Sequence, residues 1–222
     1  MKTCIACGMP MNDPSEFACG ANKRYRSQRP KLPVTARIGM FVSTAEYING
    51  GIVMEPKMFK KPAVRIAGFA IKTRSKDGEN FKAIPQFWSE YMADGRCEKL
   101  HKEAFLKSHE EYGACLSENP ENGEFEYVIG VEVKEGSDVG QGYHVCTIPE
   151  ALYAVFSSSP ADGANFSSAI QGTWKYIFSE WFPTSGYEFA EGKVDFELYD
   201  DRCMTETGKV CDIYIPVCKR SF

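Results

Sequence analysis

The stretch "KVDFELYDDRCMTETGKVCDIYIPVCK", Lys193 to Lys219, reads as two β-strands joined across the turn-forming "MTETGK". In the first run Val194, Phe196 and Leu198 alternate with Asp195, Glu197 and Tyr199. Successive strand side chains point to opposite faces, so Glu197 shares a face with Asp195 and Tyr199. In the second run Tyr214 has the parity of Asp212 and Pro216. The polar face of an antiparallel sheet usually meets water, so Glu197 is either a solvated strand residue or a carboxylate facing a pocket. The second case needs a partner that satisfies the charge.

Upstream, "NFSSAIQGTWKYIFSEWFP" (Asn165 to Pro183) predicts a helix. Phe166, Ile170, Trp174, Ile177 and Trp181 fall on one stripe, and Pro183 stops it. Before it, "GYHVCTIPEALYAVFSS" (Gly142 to Ser158) predicts a strand interrupted at Pro149. The same order occurs earlier in the chain. "AVRIAGFAIKTR" (Ala63 to Arg74) is a strand. "AIPQFWSEYMADG" (Ala83 to Gly95) is a helix with Pro85 in its first turn and Gly95 as its cap. "EYGACLSENP" and "FEYVIGVEVKEG" are two further strands. Strand, helix, strand, strand thus occurs twice. The fold class expected is α+β: duplicated β-α-β-β units forming one antiparallel sheet, with two helices on one face and a central ligand groove. The closing strands "YVIGVEV" and "IYIPVCK" are expected at sheet edges.

The chain has 222 residues, 43% of them hydrophobic, enough for a substantial core. It contains no apolar run long enough to span a membrane, and its first residues lack the apolar centre of a signal peptide. A cytoplasmic location is expected. Nine scattered cysteines fit reduced thiols better than a disulfide framework. The net charge is −4, and "KRYRSQRPK" (Lys23 to Lys31) is the one locally basic segment, so direct nucleic-acid binding is not expected. His101, His109 and His144 show no linear spacing that suggests a metal site or a catalytic triad.

Four segments together carry a resemblance: "YAVF" (Tyr153 to Phe156), "IQGTWKYIFSEWFPTSGYEF" (Ile170 to Phe189), "DFELYD" (Asp195 to Asp200) and "DIYIPV" (Asp212 to Val217). In this order they resemble the GyrI-like (gyrase-inhibitor-like) domain, which also serves as the effector-binding module of AraC- and MerR-type multidrug regulators. The resemblance covers about residues 55–220 and implies the same duplicated β-α-β-β plan. It implies that Glu197 occupies the position of a glutamate in an aromatic pocket. Ligand-binding residues expected there are Glu197, Trp88, Tyr214, Trp174, Trp181 and Tyr199. The implied ligand is a small lipophilic cation, because aromatic faces attract delocalised cations and a carboxylate adds charge complementarity. A stand-alone domain of this kind would sense or sequester its ligand, acting with a separate regulator as partner where transcription is involved. An alternative is a hydrolase of small electrophiles such as cyclopropanoids, with Glu197 as general base and Tyr214 orienting the substrate. A second alternative is an interaction protein that engages another macromolecule.

The expected domains are a degenerate zinc-ribbon-like segment over 1–31, a linker or packing segment over 32–54 and the GyrI-like domain over 55–222. "CIACGMPM" (Cys4 to Met11) resembles the first knuckle of a zinc ribbon. Cys4 and Cys7 form one ligand pair and Cys19 offers a third ligand, but Arg26 and Arg29 stand where the second pair belongs. Zinc needs four ligands and arginine supplies none. No cofactor is therefore expected, with zinc at Cys4, Cys7 and Cys19 as the alternative; a fourth ligand would have to come from Cys97 or elsewhere.

Overall fold

The computed structural model describes residues 46–48, 51–116, 118–119 and 121–220. The ribbon-like segment, with Cys4, Cys7 and Cys19, and most of the linker lie outside the described residues. The described chain opens with a short hairpin, β1 (Glu46–Ile48) and β2 (Gly51–Val53). The first unit then runs β3 (Lys57–Lys61), β4 (Val64–Arg74), α1 (Asn80–Ala93), α2 (Arg96–Leu100), β5 (Leu106–Cys115) and β6 (Glu124–Val133). The second runs β7 (His144–Ile148), β8 (Ala151–Ser157), α3 (Gly163–Tyr176), a π-turn over Ile177–Trp181, α4 (Phe182–Thr184), β9 (Tyr187–Phe189), β10 (Asp195–Tyr199) and β11 (Asp212–Lys219).

Apart from the β1–β2 hairpin, the described strands form one antiparallel sheet in the order β3-β8-β11-β10-β5-β6-β4-β7, with β9 added beside β11. The triplet β8-β11-β10 mirrors β4-β6-β5, so the two units meet where β10 pairs with β5. Each unit also lends its leading strand to the other: β3 pairs with β8, and β7 pairs with β4. The break at Pro149 separates β7 from β8 and permits this exchange. The expected edge positions of "YVIGVEV" and "IYIPVCK" are corrected. They belong to β6 and β11, which are paired on both sides. Strands buried on both faces favour near-continuous apolar runs, which is how "YVIGV" reads.

Alternation along the interior strands sorts side chains into two cores. Tyr127, Ile129 and Val131 of β6, Ile213 and Ile215 of β11, and Tyr199 of β10 face the helices, against Trp88, Tyr91, Phe166 and Ile170. Tyr112, Ala114, Val128, Tyr153 and Phe196 fill the opposite face of the curled sheet. Gly95 ends α1 with a φ of 86°, a left-handed conformation that glycine adopts without steric cost. Pro85 falls in the second turn of α1 rather than the first, because the helix begins at Asn80.

Candidate functional site

The β5–β10 junction places Glu197 on the helix-facing side of the sheet, between α1 and α3. The register sets Glu197 opposite Gly113 on β5 and opposite Ile213 on β11. Above it lies a cavity of about 920 Å³. Its floor is Tyr127, Asp195, Glu197 and Tyr199; its walls are Ile84 and Trp88 of α1 and Phe166, Ile170 and Trp174 of α3. At the rim Phe81 and Phe178 are 63% and 51% exposed, unusual for phenylalanine. Phe178 belongs to the π-turn and stacks on Trp174 at 6.1 Å and 8° between planes.

Three neutral donors hold the Glu197 carboxylate. Trp174 Nε1 donates to Oε1 at 2.7 Å. The Tyr199 and Tyr127 hydroxyls donate to Oε2 at 2.8 Å and 3.1 Å. The Tyr127 oxygen in turn accepts from Trp88 Nε1 at 2.9 Å, so α1 and α3 both reach the carboxylate through indole nitrogens. Burial pushes the Glu197 pKa up, and the three donors only partly offset this. Tyr199 and Tyr127 rise well above the usual phenol range, chiefly through burial and then through the charge of Glu197, and so stay protonated as donors. Asp195, two residues away on the same face, is pushed up to about 7 by burial, with the Glu197 charge adding to it. Among the described residues no Lys, Arg or His forms an ion pair with Glu197.

Of the residues predicted from sequence, Glu197, Trp88, Trp174 and Tyr199 converge on this cavity. Two do not. Tyr214 pairs across the ladder with Phe196 and stacks on it at 4.5 Å, in the core on the other face of the sheet. Trp181 packs behind α3 against Phe156 and Tyr187. Its π-turn carries more residues per turn than an α-helix, so the 3.6-residue stripe through Trp174 no longer applies to it. Sequence reasoning missed Tyr127 and Gly113. Alternation in β6 would have placed Tyr127 on the Ile129 face, but nothing local says that this face meets Glu197.

His101 comes together in space with Cys97 and Glu111, although linear spacing gave no hint of it.

No described helix is long and apolar enough to cross a membrane. A structure of SAV2435 bound to tetraphenylphosphonium shares the fold, with a TM-score of 0.62 at 20% identity over 74% of this chain and 94% of that one. The transcriptional regulator BrlR of Pseudomonas aeruginosa is 30% identical over 167 residues, which make up 74% of this chain and 56% of BrlR. The chain therefore spans little more than half the length of that relative. Residues 57–217 match the family of integron-associated effector binding proteins, and the chain belongs to this GyrI-like family of effector-binding domains.

Proposed function

We propose that this domain binds lipophilic aromatic cations in the cavity above Glu197 and serves as a sensor or sequestering module. The observation that carries the reading is a half-buried carboxylate that, among the described residues, is held by neutral donors alone beneath aromatic walls. Such a carboxylate is costly unless a positive partner arrives, and a delocalised cation suits both the charge and the rings. Asp195 adds a second acid to the floor, while Lys175 and Lys193 line outer parts of the cavity. Lys193 is turned aside to the Glu150 carbonyl at 2.9 Å. The exposed rim phenylalanines offer a lipophilic guest its first contacts. The chain's relation to the transcriptional regulator BrlR supports a role for occupancy in transcriptional control.

The test is a tryptophan-fluorescence titration with tetraphenylphosphonium, the cation present in a protein of the same fold. Saturable quenching that is lost in Glu197→Gln supports the reading. Equal titration curves for the two proteins, or no saturation in either, sink it. A hydrolytic reading has its own support in Asp195, whose pKa near 7 suits a general base. Tyr214, on the far face, has no part in it. Turnover of an activated cyclopropane ester that is abolished in Asp195→Asn would favour that reading over simple binding.

A further inference from the structure

Away from the cavity, α1, α2 and β5 bring together a second cluster. Cys97 on α2 and His101 at its C-terminal end are four residues apart and share a helix face. Glu111 of β5 points at both. Its Oε1 lies 3.0 Å from His101 Nε2 and 3.9 Å from Cys97 Sγ, and it accepts from the Tyr91 hydroxyl of α1 at 2.5 Å. Glu111 is fully buried, and its Oε2 has no hydrogen-bond partner. On the outer side His101 Nδ1 lies 2.9 Å from His109 Nδ1, with the two rings stacked.

We propose that Cys97, His101 and Glu111 bind a zinc ion that ties α2 to β5. The donor set is one thiolate, one imidazole and one carboxylate, the combination that zinc accepts best among common divalent ions. One donor atom from each residue lies within 4.8 Å of the others. Tetrahedral zinc, with bonds of about 2.0–2.3 Å, sets its donors roughly 3.3–3.7 Å apart, so the two separations from Glu111 Oε1, 3.0 Å to His101 and 3.9 Å to Cys97, need change by only a few tenths of an ångström. A buried carboxylate is costly unless it is paired; Glu111 faces His101 at 3.0 Å and leaves Oε2 without a hydrogen-bond partner, and a divalent ion held by the three residues balances its charge. His109 fits the outer role: accepting from His101 Nδ1–H, it leaves the Nε2 lone pair facing Glu111, an arrangement that a cation between them stabilises. Binding displaces the Cys97 thiol proton to solvent. The fourth position is left to water.

The test uses the whole chain, stripped with a chelator and titrated with Co²⁺ as a spectroscopic probe and with Zn²⁺ against a chromophoric chelator. Because Cys4, Cys7 and Cys19 also offer thiols, the reference protein is the triple Cys→Ser variant at those positions. It should retain one equivalent of Zn²⁺, with a thiolate-to-cobalt charge-transfer band and tetrahedral d–d bands. Cys97→Ser in that background should abolish the charge-transfer band. His101→Gln, at a partly exposed position that keeps the fold, should weaken Zn²⁺ at least tenfold. His109→Ala should keep the band and weaken binding by about 10–100-fold. Absence of stoichiometric metal in the triple variant would overturn the proposal. So would a cobalt spectrum unchanged by Cys97→Ser, or an affinity unchanged by His101→Gln.

Discussion

Gly113 lies directly across the β5–β10 ladder from Glu197, and a β-carbon there would sit 2.2 Å from the Tyr127 hydroxyl and 3.1 Å from Glu197 Oε2. The missing side chain is what allows a tyrosine from the next strand to reach the carboxylate. Gly113→Ala must therefore push Tyr127 aside and break its bond to Glu197. The expected cost is about 1–3 kcal/mol of stability, typical of overpacking, together with weaker cation binding. Urea denaturation of Gly113→Ala, Tyr127→Phe and the double variant measures both effects. The double variant should be less destabilised than the sum of the two singles, because they disturb the same contact.

Tyr214 and Tyr199 separate the two faces of the sheet. Tyr199 donates to Glu197, whereas Tyr214 stacks on Phe196 on the other side. Tyr199→Phe removes a hydrogen bond to a charged acceptor, a loss of about 1.5–3 kcal/mol when the partner stays buried. Tetraphenylphosphonium affinity should change markedly in Tyr199→Phe and stay within about twofold in Tyr214→Phe, which keeps the ring and its packing. Matching losses in the two variants would contradict the assignment of faces.

Glu197, Tyr199, Trp88 and Trp174 were legible because the resemblance implies an aromatic pocket around Glu197; periodicity supplied only which side chains share a face. What escaped depends on distant segments. Tyr214 shares a parity with Asp212, but its face depends on the register across the "MTETGK" loop, and that register sets it beside Phe196 rather than Glu197. Trp181 lies on the helical stripe in sequence and leaves it in space, because a π-turn begins at Ile177. Tyr127 and Gly113 reach the site only through the junction of the two units, which no single strand reveals. The duplication was readable in order, but the exchange of β3 and β7 between units was not, since both are short strands with weak patterns.

Trp174→Phe removes the one donor to Oε1 of Glu197 among the described residues while keeping an aromatic wall. With one stabilising bond gone, the Glu197 pKa should rise further. The carboxylate infrared band, followed against pH, should titrate at higher pH in the variant than in the parent. An unchanged or lower midpoint would mean that the indole contributes nothing to the charged form.

Phe178 is half exposed and lies over Trp174 at the cavity rim. Phe178→Ala removes one ring from the cation's path at little cost to the core. Its loss should weaken tetraphenylphosphonium by a cation–π contribution of about 0.5–2 kcal/mol, or roughly 2–30-fold. Thermal stability should move little. Isothermal titration and a melting curve on the same sample distinguish a binding residue from a packing one.

The floor carboxyls couple binding to pH with a definite sign. Asp195 titrates from about 3.8 when unfolded to about 7 in the fold, and Glu197 is raised as well. An acid with a raised folded pKa holds its proton better in the fold than in the unfolded chain. Its contribution to stability is complete below about pH 4 and is lost as pH rises through 7. A cation reverses the preference, because it favours the ionised floor. Without ligand, the melting temperature of the parent should therefore fall between about pH 5 and 8 relative to Asp195→Asn. Over the same window tetraphenylphosphonium, whose charge does not titrate, should bind more tightly. Titrations near pH 7 in buffers of different ionisation enthalpy should show net proton release on binding. Proton uptake, or an affinity that falls with pH, would mean that the floor carboxyls do not face the ligand.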